Sequence, residues 1–187
     1  MLQAVNTASI PAGWNDTAIV MIPKVDNPEK VAQFHPISLC IVVYKVTSKM
    51  LANRLKCILP EIIGENQSDF VPGRLITDNI LITYECIHAI KRKEGKQGLC
   101  PVKLDMHKAY DRVEWGFLEK IMIKMGFDAR WVNLIMACVS SVRYTIRFNS
   151  METDSITPTR GIRQGDSLSP YLFLIVAEGL SCLIQQA

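Results

Sequence analysis

Apolar residues recur along this chain at two spacings, and the spacing divides it into strands and helices. Thr17-Ala-Ile-Val-Met-Ile22 is a short β-branched and apolar run closed by Pro23, which predicts a strand. From Val42 to Ile63, the residues Val43, Val46, Met50, Leu51, Leu55 and Ile58 recur mostly three and four apart. That is one face of an amphipathic helix, with Pro60 and Gly64 marking its end. Thr77-Asp78 offers a cap for another helix whose face is Ile80, Leu81, Tyr84 and Ile87. Gly95 to Gly98 breaks it, and Cys100-Pro-Val-Lys-Leu-Asp105 predicts a buried strand ending in a carboxylate. Asp111 is placed to cap a helix over Val113 to Met125, and Asp128 to start another reaching about Val139. Val142, Tyr144, Ile146 and Phe148 alternate with Arg143, Thr145 and Arg147, the pattern of a half-buried strand. A second strand follows a turn near Asn149 to Asp154, and Ser169-Pro170 opens a last helix.

Strands separated by grouped helices, rather than strictly alternating with them, predict an α+β fold whose sheet is covered on one face. With 187 residues, 49% of them hydrophobic and 21% charged, the chain suits one compact domain with a sizeable core. The net charge of +3 permits a nucleic-acid partner without arguing for one. The dense basic run Lys91-Arg92-Lys93-Glu94-Gly95-Lys96 is accounted for as a solvated helix end, where cations suit the helix dipole.

None of the six cysteines forms a C-x-x-C pair, and no Cys/His spacing suits zinc. Their scatter among apolar runs predicts buried, reduced thiols and an intracellular protein. The first residues lack the basic region and long apolar run of a signal peptide, so none is expected. The most apolar stretch, Leu172 to Ala177, is far shorter than the roughly 20 residues of a membrane span, so no membrane partner is expected.

Two constellations carry candidate chemistry. In Val102-Lys-Leu-Asp-Met-His-Lys-Ala-Tyr-Asp-Arg-Val113, a carboxylate at a strand end could face a pocket and serve a hard cation such as Mg²⁺. The plainer account makes both Asp105 and Asp111 boundary residues, and for Asp111 it is retained. In Arg160-Gly-Ile-Arg-Gln-Gly-Asp-Ser-Leu-Ser-Pro-Tyr171, Gly161 and Gly165 allow close backbone approach to a ligand, while Arg163 and Gln164 offer donors. Either motif alone is weak.

Taken in register with others, they are specific. Asn15-Asp-Thr-Ala-Ile-Val-Met-Ile-Pro-Lys24, Phe34-His-Pro-Ile-Ser-Leu-Cys40, Leu51-Ala-Asn-Arg-Leu55, Gln67-Ser-Asp-Phe-Val-Pro-Gly-Arg74 and Thr77-Asp-Asn79 precede the two constellations in order. With them the chain resembles, over nearly its whole length, the reverse transcriptases of LINE-type (non-LTR) retrotransposons, particularly the plant ones. An intron maturase fits less well at Phe34 to Cys40 and Gln67 to Arg74.

The resemblance implies a partial fingers-and-palm polymerase core with an antiparallel palm sheet covered by helices. Residues from about 1 to 99 would form the fingers and connecting helices, and those from about 100 to 187 an incomplete palm. Asp105 would be the catalytic, metal-binding carboxylate, with the main-chain carbonyl of Met106 as a second Mg²⁺ ligand. Tyr110 would underlie the incoming sugar, Gln164 and Gly165 would cradle nucleotide and template, and Lys24 would meet the triphosphate. RNA template, DNA primer and deoxynucleotides are the implied partners; the oligomeric state is left open, and the nucleus or cytoplasm is implied as the compartment.

The chain also departs from the family pattern. It contains no adjacent Asp-Asp pair, so the second and third catalytic carboxylates are absent from it. His35 stands where the family's Phe-Arg-Pro-Ile-Ser pattern has arginine, His107 replaces a small residue, and Asp69 replaces an apolar or small one. The expectation is therefore a fragment of an RNA-directed DNA polymerase that does not polymerise by itself. The competing expectation is a non-catalytic nucleic-acid-binding remnant. A missing palm hairpin would also leave the strand at Leu104 with an open edge and the helix from Leu172 to Leu183 uncovered.

Overall fold

The computed structural model describes residues 7–95, 98–149 and 151–186. Four strands form one sheet in the order β2-β1-β3-β4. They are β1 (Asp16–Pro23), β2 (Phe34–Cys40), β3 (Arg143–Phe148) and β4 (Met151–Glu152). β1 pairs antiparallel with β2, Thr17 opposite Cys40 and Pro23 opposite Phe34. β3 pairs antiparallel with β4, whereas β1 and β3 run parallel, Asp16 opposite Arg143. The class is α+β, as expected, and the parallel step makes the sheet mixed.

The helices are α1 (Val42–Ile62), α2 (Ile76–Arg92), α3 (Trp115–Lys124), α4 (Ala129–Ser140) and α5 (Ser169–Gln186). Leu51, Leu55 and Leu59 of α1 are fully buried with Leu118 and Met122 of α3, Ile135 and Cys138 of α4, and Leu172 and Ile175 of α5. This apolar surface removed from water is the main favourable term in the fold. Where α3 meets α5, Gly179 leaves no room for a side chain: a Cβ there would lie 2.9 Å from Ile121 Cδ1. Pro60 sits inside the last turn of α1, which ends two residues later. The carbonyls left over at that end are satisfied by Arg74, whose guanidinium donates to Gly64 O at 2.6 Å, Gln67 O at 2.7 Å, Ile63 O at 2.9 Å and Pro60 O at 3.3 Å.

Several expectations are corrected. The predicted strand Cys100 to Asp105 is neither a strand nor buried; Val102 is 76% and Leu104 71% exposed. Ladder hydrogen bonds must come from a neighbouring strand, and among the described residues none lies beside this segment. Asp111 does not cap a helix: it lies in the short 3₁₀ turn Ala109–Arg112, and α3 begins at Trp115 with Glu114 at its cap position. Thr77 and Asp78 lie inside α2, whose N-cap is Leu75, although the Asp78 carboxyl does accept from the Leu75 N–H at 3.4 Å. The apolar face of α2 has the right period but no cover, with Ile80 65% exposed and none of the helix's residues buried.

β2 is a strand that the pattern did not predict, because Pro36 interrupts it; as the edge strand it can carry a residue without an N–H. The first half of α5 is covered, and the end at Leu183 is exposed. Four cysteines, at 57, 86, 100 and 182, are exposed rather than buried, and only Cys40 and Cys138 lie inside. No helix among the described residues is long and apolar enough to cross a membrane. Lys96 of the basic run and Ser150 of the predicted turn fall outside the described residues.

Candidate functional site

Four stretches of chain, the first two from paired strands, line a cavity of about 740 Å³. β1 and its exit contribute Met21 and Lys24, the start of β2 contributes Phe34, His35 and Pro36, and the segment around the 3₁₀ turn contributes His107, Lys108, Tyr110 and Asp111. Gln164 closes it from the loop before α5 and also lines a second cavity of about 220 Å³, with Ser38, Tyr144 and Arg160.

Local chemistry explains why these residues meet. The Lys24 N–H donates to the Gln33 carbonyl at 2.8 Å, closing the excursion between β1 and β2 so that Lys24 and His35 return to the same end of the ladder. Lys108 adopts a left-handed backbone, with φ of 51°, that turns the chain into the 3₁₀ segment. The Tyr110 ring packs on Phe173 of α5, centroids 5.2 Å apart, which fixes its position at the cavity wall. Burial, and then the nearby Asp69 carboxyl, raises the Tyr110 hydroxyl above the ordinary phenol value, so it stays protonated and can donate.

The loop carrying Gln164 is laced to the Tyr110 turn. Gly161 N donates to Val113 O at 2.7 Å, Ile162 N donates to Tyr110 O at 2.9 Å, and the Trp115 indole N–H donates to Gly161 O at 2.7 Å. Gly161 is required there, since a Cβ would lie 3.2 Å from the Asp111 carbonyl and its φ is +89°. Gly165, at φ +94°, turns the chain directly after Gln164 beside Ser38 of β2.

Of the residues picked out in the sequence, Lys24, Tyr110 and Gln164 line the large cavity, and Gly165 adjoins it through Gln164. Asp105 and Met106 do not line it; they lie in the exposed segment leading to His107. His35, His107, Lys108 and Asp111 also line it, although none of them was picked out as a binding residue: Asp111 was read as a helix cap and the two histidines as departures from the family pattern. For His35 a signal existed, its place in the Phe34 to Cys40 motif; for Lys108 there was none, because only the left-handed turn brings it round.

The resemblance implies a divalent metal, and the residues present do not complete a site for one. Among the described residues no group of three or more His, Cys, Asp or Glu side chains is arranged to hold an ion. Asp105 and the Met106 carbonyl would supply two oxygens, where Mg²⁺ demands an octahedron.

The chain matches a family model described as reverse transcriptase (RNA-dependent DNA polymerase) over residues 22–187. It is 28% identical over 186 residues to the Transposon TX1 uncharacterized 149 kDa protein of Xenopus laevis, covering 100% of this chain and 14% of the relative. It is 28% identical over 177 residues to the retrovirus-related Pol polyprotein from type-1 retrotransposable element R2 of Popillia japonica, covering 94% of this chain and 24% of the relative. Against the probable RNA-directed DNA polymerase from transposon BS of Drosophila melanogaster, identity is again 28% over 177 residues, covering 92% and 19%. The chain thus spans between 14% and 24% of the length of these relatives. Their character agrees with the non-LTR affinity expected from the motifs.

Proposed function

Because the chain belongs to the reverse transcriptase (RNA-dependent DNA polymerase) family, we propose that its large cavity receives the incoming deoxynucleotide of an RNA-directed DNA polymerase from a non-LTR retroelement. The observation that carries this reading is the convergence of Lys24, Tyr110 and Gln164, from three separate stretches of chain, on one cavity of about 740 Å³. That volume lies within the range typical of small-molecule sites, roughly 300–1,000 Å³.

In this reading Lys24 meets the triphosphate as a mobile point charge, with Lys108 on the same cavity lining. The Tyr110 ring lies under the sugar and refuses a ribose 2′-hydroxyl by collision. Gln164 donates and accepts through its amide, and Gly165 lets nucleotide and template approach the backbone. RNA template and DNA primer are the proposed macromolecular partners. The division into fingers, about 1–99, and palm, about 100–187, belongs to the same proposal; the pairing of β1 with β3 joins the two parts in one sheet.

The family generally uses a divalent metal. We assign Mg²⁺ here, with the Asp105 carboxyl and the Met106 carbonyl as two of its oxygen ligands. Since these do not complete the shell, no phosphoryl-transfer step is assigned to this chain by itself.

The test is a titration with a fluorescent deoxynucleoside triphosphate, followed by primer extension on an RNA template. The chain is expected to bind the nucleotide, with Lys24→Ala and Gln164→Ala each weakening binding by about tenfold, the loss of one good polar contact. It is expected to extend a primer only when an Asp-Asp hairpin of the family type is appended, and then to lose that activity on Asp105→Ala. Nucleotide binding indifferent to both Lys24 and Gln164 would sink the reading. A second reading draws on the cations of the same lining, Lys24 and Lys108, against the lone carboxyl of Asp111. Template–primer binding with a steep salt dependence and no nucleotide affinity would favour a non-catalytic grip on nucleic acid.

A further inference from the structure

Gln164 reaches the cavity from a loop that lies outside both sheet and helix, so something else must hold it. Its flanks are buried: Arg163 is 5% exposed and Asp166 8%, while Gln164 and Gly165 between them are open to solvent. The Arg163 guanidinium lies 3.9 Å above the Tyr44 ring of α1. Its Nη1 donates to Thr17 Oγ1 of β1 at 3.1 Å and to Cys40 Sγ at the end of β2 at 3.4 Å, and its Nη2 donates to the Cys138 carbonyl of α4 at 3.2 Å. Asp166 lies 3.8 Å from Arg163 Nε and accepts from the Tyr44 hydroxyl at 3.0 Å. One side chain therefore ties the loop to two strands and two helices at once.

This is an expensive way to stabilise a core. A buried ion pair loses much of its attraction to desolvation, and an apolar cluster of the same volume often serves stability as well. Burial opposes the charge on Arg163, and the neighbouring Tyr44 and Asp166 more than offset it, so the guanidinium stays charged. What the arrangement supplies, and an apolar cluster would not, is a fixed direction: five donors in a rigid plane admit one orientation of the loop.

We propose that Arg163 is a positioning residue, which locks the loop from Gly161 to Asp166 through Tyr44 and Asp166 and thereby aims Gln164 into the deoxynucleotide cavity without lining that cavity itself. The ligand in this inference rests on the reading of the cavity given above; the locking of the loop does not.

The experiment pairs two measurements on the full chain. Amide hydrogen exchange is read at Gly161 and Ile162, whose N–H groups donate to backbone carbonyls, at Leu168, whose N–H donates to the Asp166 carboxyl, and at Leu118 and Met122 in α3 as internal reference. Nucleotide affinity is read with the same fluorescent deoxynucleoside triphosphate. Arg163→Lys keeps the charge and removes the fork. It is expected to speed exchange at the three loop amides by about tenfold or more and to leave the reference amides alone. It is expected to weaken binding about as much as Gln164→Ala, with the double variant no weaker than Gln164→Ala alone. Tyr44→Phe, which keeps the ring and removes only the bond to Asp166, is expected to shift both readouts in the same direction by less, and serves if Arg163→Lys does not fold. Unchanged loop exchange, or faster exchange that includes the reference amides, overturns the proposal, as does full additivity of the two substitutions. If the wild-type chain binds no nucleotide, the cavity reading falls, and the exchange result alone decides whether Arg163 locks the loop.

Discussion

The indole N–H of Trp115 donates to the carbonyl of Gly161 at 2.7 Å, joining the first residue of α3 to the loop that carries Gln164. Two segments far apart in sequence are thereby held in register at the cavity wall. Trp115→Phe keeps an aromatic side chain, but exchanges the indole for a smaller phenyl ring and leaves a partly buried carbonyl without its donor. The expected loss is about 1–2 kcal/mol, measured from the urea midpoint at unchanged slope. A midpoint equal to that of the wild type would show that water replaces the indole freely.

Gly161 and Gly126 test how much of the loop's geometry is steric. Both have positive φ, +89° and +85°, but a Cβ at Gly161 meets Asp111 backbone at 3.2 Å, whereas at Gly126 it meets nothing within 4 Å. Gly126→Ala should cost about 1 kcal/mol from the left-handed backbone alone, and Gly161→Ala about 2 kcal/mol or more. Equal shifts in thermal midpoint for the two variants would contradict the tight approach of the loop to Asp111.

Arg74 ends α1 by donating to four carbonyls. Lysine keeps the charge but cannot reach several acceptors from one plane. Arg74→Ala is expected to cost about 1–2 kcal/mol, and Arg74→Lys most of that. Full recovery of stability by lysine would mean that charge near the helix end, not the fork, is what matters.

Stability should fall in alkaline solution. Burial first, and then Asp166, pushes the Cys138 thiol from its ordinary 9.0 up to about 12, against a lowering by Arg163. Burial likewise pushes the Tyr144 hydroxyl from 10.0 up to about 12. Both groups are neutral when protonated, so the unfolded chain releases protons that the folded chain keeps. Their contribution is whole below about pH 9 and is lost as pH rises toward 12. Denaturant titrations at pH 8 and pH 10.5 should give a lower midpoint at the higher pH, and Cys138→Ala should reduce the difference. A flat profile would show that these groups are exposed to water in the folded chain.

The sequence disclosed the elements whose periodicity is reinforced by burial. α1, α4, α5, β1 and β3 lie within a few residues of where spacing and turn residues put them; the three helices each bury an apolar face, and the two strands pair with each other. It failed where the deciding interaction lies elsewhere in the chain. Cys100 to Asp105 has strand composition, but a strand needs a partner; β2 has a partner, and Pro36 disguised it. Asp111 resembled a helix cap, and the tight contact with Gly161 holds it in a 3₁₀ turn instead. At the cavity, Lys24, Tyr110 and Gln164 were legible only through their register with a family, because nothing in their local spacing sets them apart. His107 and Lys108 enter it through a left-handed backbone at Lys108, which composition does not encode.

The mixed sheet has a further consequence at its borders. One border is β2, interrupted by Pro36, and the other is β4, only 2 residues long. Both are poor templates for another strand, since one lacks a donor and the other lacks length. Lateral growth of the ladder into fibrous assemblies is therefore discouraged at either side. The exposed apolar residues lie elsewhere, on α2 and in the segment before His107, with Ile80 65% and Leu104 71% exposed, so charge introduced there, rather than at the ladder's rim, is the rational route to a better-behaved protein.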